Sequence, residues 1–139
     1  MTVVDASVAV KWLTAEERRD AANRILEGAD KLIGPALLRV ETAAAITRKA
    51  LLSEVTVQEA HEALEVWAAI IRGTLDLMPE DEDLPGALKL ALELKHALQD
   101  CIYLALAERL DATLITADGK FVAKARGRYP RVQLLGAES

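Results

Sequence analysis

Five short β-prone runs alternate with stretches of helical period along this chain. That alternation implies right-handed crossovers and an α/β fold whose mostly parallel sheet is covered by helices on both faces. The runs are Thr2 to Asp5, Lys31 to Ile33, Leu75 to Met78, Thr113 to Thr116 and Val132 to Leu135. Between them the apolar spacing predicts helices over 6–13, 16–29, 36–52, 57–72, 84–98, 99–110 and 118–125. Gly34-Pro35 should stop the second strand, with Pro35 in the first turn of the next helix, where its missing N–H does no harm. Helices 36–52 and 57–72 are expected to form a hairpin. Hydrophobic residues make up 52% of the chain but aromatic ones only 4%, so Ala, Leu, Val and Ile must fill the core, which favours helix. A chain of 139 residues suits a single domain spanning 1–139.

Cys101 is the only cysteine, which excludes an intrachain disulfide and a Cys-rich zinc site and points to a reducing compartment. Neither a signal peptide nor an apolar run long enough to span a bilayer is present, so a soluble cytoplasmic protein is expected. A net charge of −5 argues at first against a nucleic-acid partner. The charge is unevenly spread, however. Lys120, Lys124, Arg126, Arg128 and Arg131 lie in a stretch without acids, while Glu80-Asp81-Glu82-Asp83 is an acidic run. The basic stretch reads either as a local phosphate-binding face or as a solvated helix surface.

In parallel α/β sheets, ligands gather at the C-terminal ends of the strands, where strand order reverses. Two strands run into aspartate there, Val3-Val4-Asp5 and Leu114-Ile115-Thr116-Ala117-Asp118. If these strands pair, Asp5 and Asp118 face each other across the crevice. Each aspartate alone could equally be a helix N-cap. Glu41 has Leu37, Leu38, Ala44 and Ala45 around it on its helix face, so its carboxylate needs a cation, a donor or a salt bridge to a residue such as Arg48 or Lys11. Asp100 precedes the apolar run Cys101 to Ala107 and could cap that helix. Carboxylates gathered in one crevice repel one another unless a cation intervenes, and all-oxygen ligation selects a hard ion such as Mg²⁺. Ser7 and Thr116, each two residues from an acid, could orient a ligand or serve as turn and capping groups. His61-Glu62 lacks the second histidine of a zinc-protease motif, since Glu65 stands in its place, and His96 reads as a surface or supporting residue. No glycine-rich phosphate loop is present.

Four segments together resemble the PIN-domain family, and within it the VapC-type toxin ribonucleases of prokaryotic toxin–antitoxin pairs. They are Val4-Asp5-Ala6-Ser7-Val8, Pro35 through Val40-Glu41, Asp100 through Ala107, and Leu114 through Asp118. The resemblance implies a three-layer α/β/α sandwich with a five-stranded sheet, and a Mg²⁺ or Mn²⁺ site formed by Asp5, Glu41, Asp100 and Asp118. It also implies endonucleolytic RNA cleavage and a cognate antitoxin seated in the cleft, with Thr116 in a supporting role. The stretch from Leu52 to Gly86 matches only in pattern, and the family also holds nucleases of RNA processing without a toxin role.

The expected chemistry is in-line attack of a metal-activated water on phosphorus, leaving a 5′-phosphate and a 3′-hydroxyl. Lys120, Lys124 and Arg126 are expected to guide the RNA backbone to the acids. The helical hairpin from Ala36 to Arg72, with Trp67, is expected to build a homodimer. A phosphoacceptor receiver domain is the rival from another class. It would need an aspartate after the middle strand and a lysine after the last. In chain order the middle strand runs into Pro79, and Gly136-Ala137-Glu138-Ser139 follows the last. A non-catalytic helical interaction module would leave Glu41 unexplained.

Overall fold

The structure is a computed structural model that describes residues 1–137, so Glu138 and Ser139 of the tail weighed against the receiver reading lie outside the described residues. In chain order it comprises β1 (Thr2–Val4), α1 (Ala6–Leu13), α2 (Arg19–Glu27), β2 (Leu32–Pro35), α3 (Leu37–Leu51), α4 (Val57–Gly73), β3 (Leu75–Met78), α5 (Leu84–Leu94), α6 (Leu98–Leu110), β4 (Thr113–Thr116), α7 (Gly119–Ala125) and β5 (Val132–Leu134). The strands form one five-stranded sheet in the order β3-β2-β1-β4-β5, and every pairing is parallel. The chain steps outward from β1 to β3 and then returns to the other side of β1. Right-handed crossovers therefore put α1 to α4 on one face and α5 to α7 on the other, giving the expected α/β/α layering. Order reverses between β1 and β4, so the ligand crevice lies at their C-terminal ends.

The central strand is thus β1, whereas the third strand lies at an edge. The strand that runs into Pro79 is therefore not the central one, so its lack of an aspartate does not bear on a receiver domain. Topology excludes that rival instead, because the receiver-type order 2-1-3-4-5 is not the one found.

Burial follows from this layering. Val3 and Val4 are both fully buried because each points into a covered face. Helix α6 packs over β1, β2 and β4 on its inner side and against α5 on its outer side. Its residues Cys101 to Ala107 are accordingly all buried. Each of its large aliphatic side chains contributes roughly 2 kcal/mol by leaving water. On the other face Trp67 is 1% exposed, stands 6.4 Å from Trp12 and donates from Nε1 to the Arg39 carbonyl oxygen. Among the described residues no helix is long and apolar enough to cross a membrane.

Several boundaries differ from the sequence reading. Gly34 and Pro35 belong to β2, paired with Leu77 and Met78, rather than ending it. A Cβ at Gly34 would lie 2.6 Å from Leu38 Cδ2, so any larger residue there would make that buried side chain shift. Helix α2 begins at Arg19, since Arg18 is left-handed (φ 64°) and Glu16 is held by Lys11, Lys49 and Thr14. Helix α5 stops at Leu94, capped by left-handed Lys95, and a short turn through His96 redirects the chain into α6. No Gly or Pro marks either break, so local patterning did not reveal them. The acidic run is also partly structural: Glu80 accepts the Leu37 N–H at the start of α3, and Asp83 is buried against Arg109.

Candidate metal centre and active site

Asp5 directly follows the central strand. It accepts the Val8 N–H at 3.3 Å and so caps α1. Ser7 Oγ donates to Asp5 Oδ1 and Thr116 Oγ1 donates to Asp5 Oδ2, each at 2.5 Å. These hydroxyls in turn accept the N–H groups of Ala117 and Asp118, at 2.8 and 3.1 Å, which ties the end of β4 to the start of α1. Both hydroxyls hold the Asp5 carboxylate, and Thr116, which accepts the N–H two residues on, is a turn group as well. Burial pushes the Asp5 carboxyl up to about 6; the two hydroxyls pull it down and the Asp100 charge raises it further.

Glu41 lies one turn into α3, half-buried, and accepts the Tyr103 hydroxyl at 2.6 Å. The salt-bridge alternative is not realised. Lys11 is bound to Glu16 and to the Glu17 carbonyl oxygen, and Arg48 forms no ion pair among the described residues. Burial raises the Glu41 carboxyl, Tyr103 lowers it and the Asp100 charge raises it. Burial and the adjoining acids drive the Tyr103 phenol far above its ordinary value, so it stays a donor.

Asp100 sits in the first turn of α6, but Ala97 occupies the cap position, so its carboxylate is not a cap. It lies instead 2.6 Å from His96 Nε2. Asp118 does cap α7, where its Oδ1 accepts the N–H groups of Lys120 and Phe121. Strands β1 and β4 pair as expected, yet Thr116 rather than Asp118 reaches Asp5. Asp118 meets a different partner, since His96, Asp100 and Asp118 offer ligand atoms all within 4.8 Å of one another. Asp100 is the hub that acts on Asp5 and Glu41 and shares this cluster with Asp118.

Among the described residues no lysine or arginine is a partner of Asp5, Glu41 or Asp100. Carboxylates held by neutral hydroxyls and one imidazole form an oxygen-rich donor set that fits a hard divalent cation.

The basic stretch is mostly spoken for. Lys124 Nζ donates to the Lys95 carbonyl oxygen and stands 3.3 Å from His96 Nδ1, while Arg126 Nε donates to the Val132 carbonyl oxygen. Arg128 pairs with Glu93 and Glu108, and Arg131 with Asp111. Lys120 alone of the three expected RNA contacts has no side-chain partner among the described residues. Beside the acids, an open groove of about 530 Å³ between α1 and α3 is lined by Ser7, Val10, Glu41, Ala45, Arg48 and Leu52. Sequence reasoning missed Tyr103. The available signal was a hydroxyl three residues after Asp100 in an otherwise apolar helix, a spacing that puts both on one face.

The family model described as PIN domain matches residues 2–127. No curated protein matches the sequence. Among solved structures, the chain is similar to Mycobacterium tuberculosis VapC20, described as a sarcin-ricin loop cleaving toxin, with 18% identity and a TM-score of 0.71 over 88% of this chain and 94% of that one. It is also similar to PAE2754 from Pyrobaculum aerophilum, with 22% identity and a TM-score of 0.65 over 88% and 83% of the two chains. A toxin–antitoxin complex from Klebsiella pneumoniae gives 18% identity and a TM-score of 0.64 over 96% of each chain. At these identities the likeness is one of fold.

Proposed function

The chain belongs to the PIN-domain family, and from that premise we propose that it is a divalent-metal-dependent endoribonuclease, the toxin of a type II toxin–antitoxin pair. The carrying observation is the set of acids around Asp100 whose partners are hydroxyls and an imidazole rather than cationic side chains. Asp5, Asp100 and Asp118, with Glu41, hold Mg²⁺ or Mn²⁺. When bound, such an ion supplies positive charge against the scissile phosphate and acidifies water toward hydroxide. Ser7 and Thr116 fix both oxygens of Asp5, and Tyr103 fixes one oxygen of Glu41, so the acids are oriented before substrate arrives.

A fold shared with a toxin–antitoxin complex supports a cognate antitoxin as partner and the cytoplasm as the working compartment. The groove between α1 and α3 opens beside Glu41 and Ser7, where either partner or RNA can reach the acids. A homodimer on the α3–α4 hairpin remains part of the proposal. Trp67, buried, does not support it, but Leu51, Leu52 and Val57, exposed at 80, 64 and 70%, do. Sedimentation of the chain alone should then give a dimer at micromolar concentration, and a monomer would overturn that part.

The decisive experiment is cleavage of a labelled RNA in Mg²⁺ by Asp118→Asn. The expected loss is at least about a hundredfold, with far-ultraviolet circular dichroism unchanged. Full activity would sink the metal-site assignment.

A further inference from the structure

Helix α7 brings three residues to the site at successive turns: Asp118 caps its start, Phe121 follows and Lys124 lies near its end. The His96 ring packs on Phe121 with centroids 4.7 Å apart, and only 13% of its side chain is exposed. Its two nitrogens face unlike partners. Nδ1 is 3.3 Å from Lys124 Nζ, and Nε2 is 2.6 Å from Asp100 Oδ2. An ammonium has three donors and no acceptor, so Nδ1 presents its lone pair to Lys124. The ring proton then sits on Nε2 and is donated to Asp100. Lys124 is held in place by its second bond, 3.0 Å to the carbonyl oxygen of Lys95, the left-handed residue that ends α5. That carbonyl is one of the helix-end acceptors that need a partner from outside the helix.

We infer that Lys124 and His96 form a positioning relay for Asp100, in which Lys124 at Nδ1 and the carboxylate at Nε2 hold the imidazole in one tautomer and Nε2–H anchors Oδ2. This leaves Oδ1, which accepts no hydrogen bond among the described residues, for the cation. The inference rests on the cation-binding reading of Asp100 and assigns residues that reading does not use. A single imidazole N–H orients a carboxylate without the two-pronged charge pairing that an arginine in the same place would bring. The relay also gives two corrections to simpler readings. In this tautomer Nε2 donates to Asp100 instead of offering a lone pair, which favours an oxygen donor set. Lys124, an exposed residue, serves the site by holding His96 and the Lys95 carbonyl oxygen rather than by meeting the RNA backbone.

The test combines tautomer and affinity on the full chain. In ¹⁵N-resolved NMR of the wild-type protein without metal, His96 should show a protonated Nε2 and a bare Nδ1. Calorimetric titration with Mg²⁺ and with Mn²⁺ then separates positioning from packing. His96→Gln carries an amide nitrogen near the Nε2 position and should bind within about threefold of wild type, whereas His96→Asn is too short to reach Asp100 and should weaken binding at least about tenfold. Circular dichroism sets the folded fraction for each variant. An Nδ1–H tautomer in the wild type, or equal losses in His96→Gln and His96→Asn, would overturn the relay. Wild type that binds and His96→Asn that binds equally would overturn the relay alone, while wild type that binds neither ion would overturn the metal-site reading and the relay with it.

Discussion

Asp5 at the end of β1 and Asp83 at the start of α5 are both buried carboxylates, and the molecule treats them in opposite ways. Asp83 takes Arg109 in a two-pronged grip, Nε to Oδ1 at 2.8 Å and Nη2 to Oδ2 at 3.0 Å. Asp5 takes two hydroxyls and a backbone N–H, none of them charged. A guanidinium answers a buried negative charge in kind, whereas hydroxyls orient it and leave most of the charge standing. The Asp83–Arg109 pair ties α5 to α6 and meets the Asp83 charge with an opposite one. Asp5 has no such partner among the described residues, and the adjacent Asp100 and Glu41 add further negative charge. Burial of an acid is therefore not the mark of a site here; burial without a cationic partner is.

The strongest way to break this contrast is to remove the charge of Asp5. In the metal-free protein its carboxyl titrates near 6 when folded, against 3.8 for the ordinary group. Between those values the folded state binds the extra proton, so stability falls as pH rises through the window and the penalty is complete above it. Two pKa units correspond to about 3 kcal/mol. Asp5→Asn should flatten that pH dependence and raise metal-free stability at pH 7.5 by up to about 3 kcal/mol, while losing the stabilisation that Mg²⁺ gives wild type. Thermal melts with and without Mg²⁺ read both. A variant less stable than wild type at pH 7.5 without metal would mean that the hydroxyls already compensate the charge.

The opposite change is predicted at the other pole. Arg109→Met keeps the packing stem but strands Asp83, whose side chain is 4% exposed. Because the arginine itself is about a third exposed, the expected loss is about 2 kcal/mol rather than the full penalty of a deeply buried pair. Urea unfolding measures it, and RNA cleavage per folded molecule should not change. Equal stability would show that water reaches Asp83.

The smallest effect sharpens the contrast at the surface, where the Lys120 side chain has no partner among the described residues. Lys120→Ala should lower the slope of log RNA affinity against log salt by about 0.7, as expected for one contact to a single strand. An unchanged slope would take the strand away from α7 and toward Arg48 in the α1–α3 groove.

Much of this was written in local pattern. The apolar alternation gave a parallel α/β sheet, the strand-end positions singled out Asp5 and Asp118, and the apolar run after Asp100 identified a helix covered on every side. Those signals are legible because helical and strand periods repeat within a few residues, so each segment carries its own evidence. Partnership is not local. Tyr103 meets Glu41 across 62 residues and Thr116 meets Asp5 across 111. Both pairings arise because α3 and α6 begin, and β1 and β4 end, at the one edge where strand order reverses. The turn at Lys95, unsignalled by Gly or Pro, carries His96 to Asp100 and within reach of Lys124. Sequence by itself thus determined the fold class and which acids stand at strand and helix ends. Only the tertiary structure decided which carboxylates share a neighbour and which cations are left free, because strand order and helix placement set distances that no period along the chain encodes.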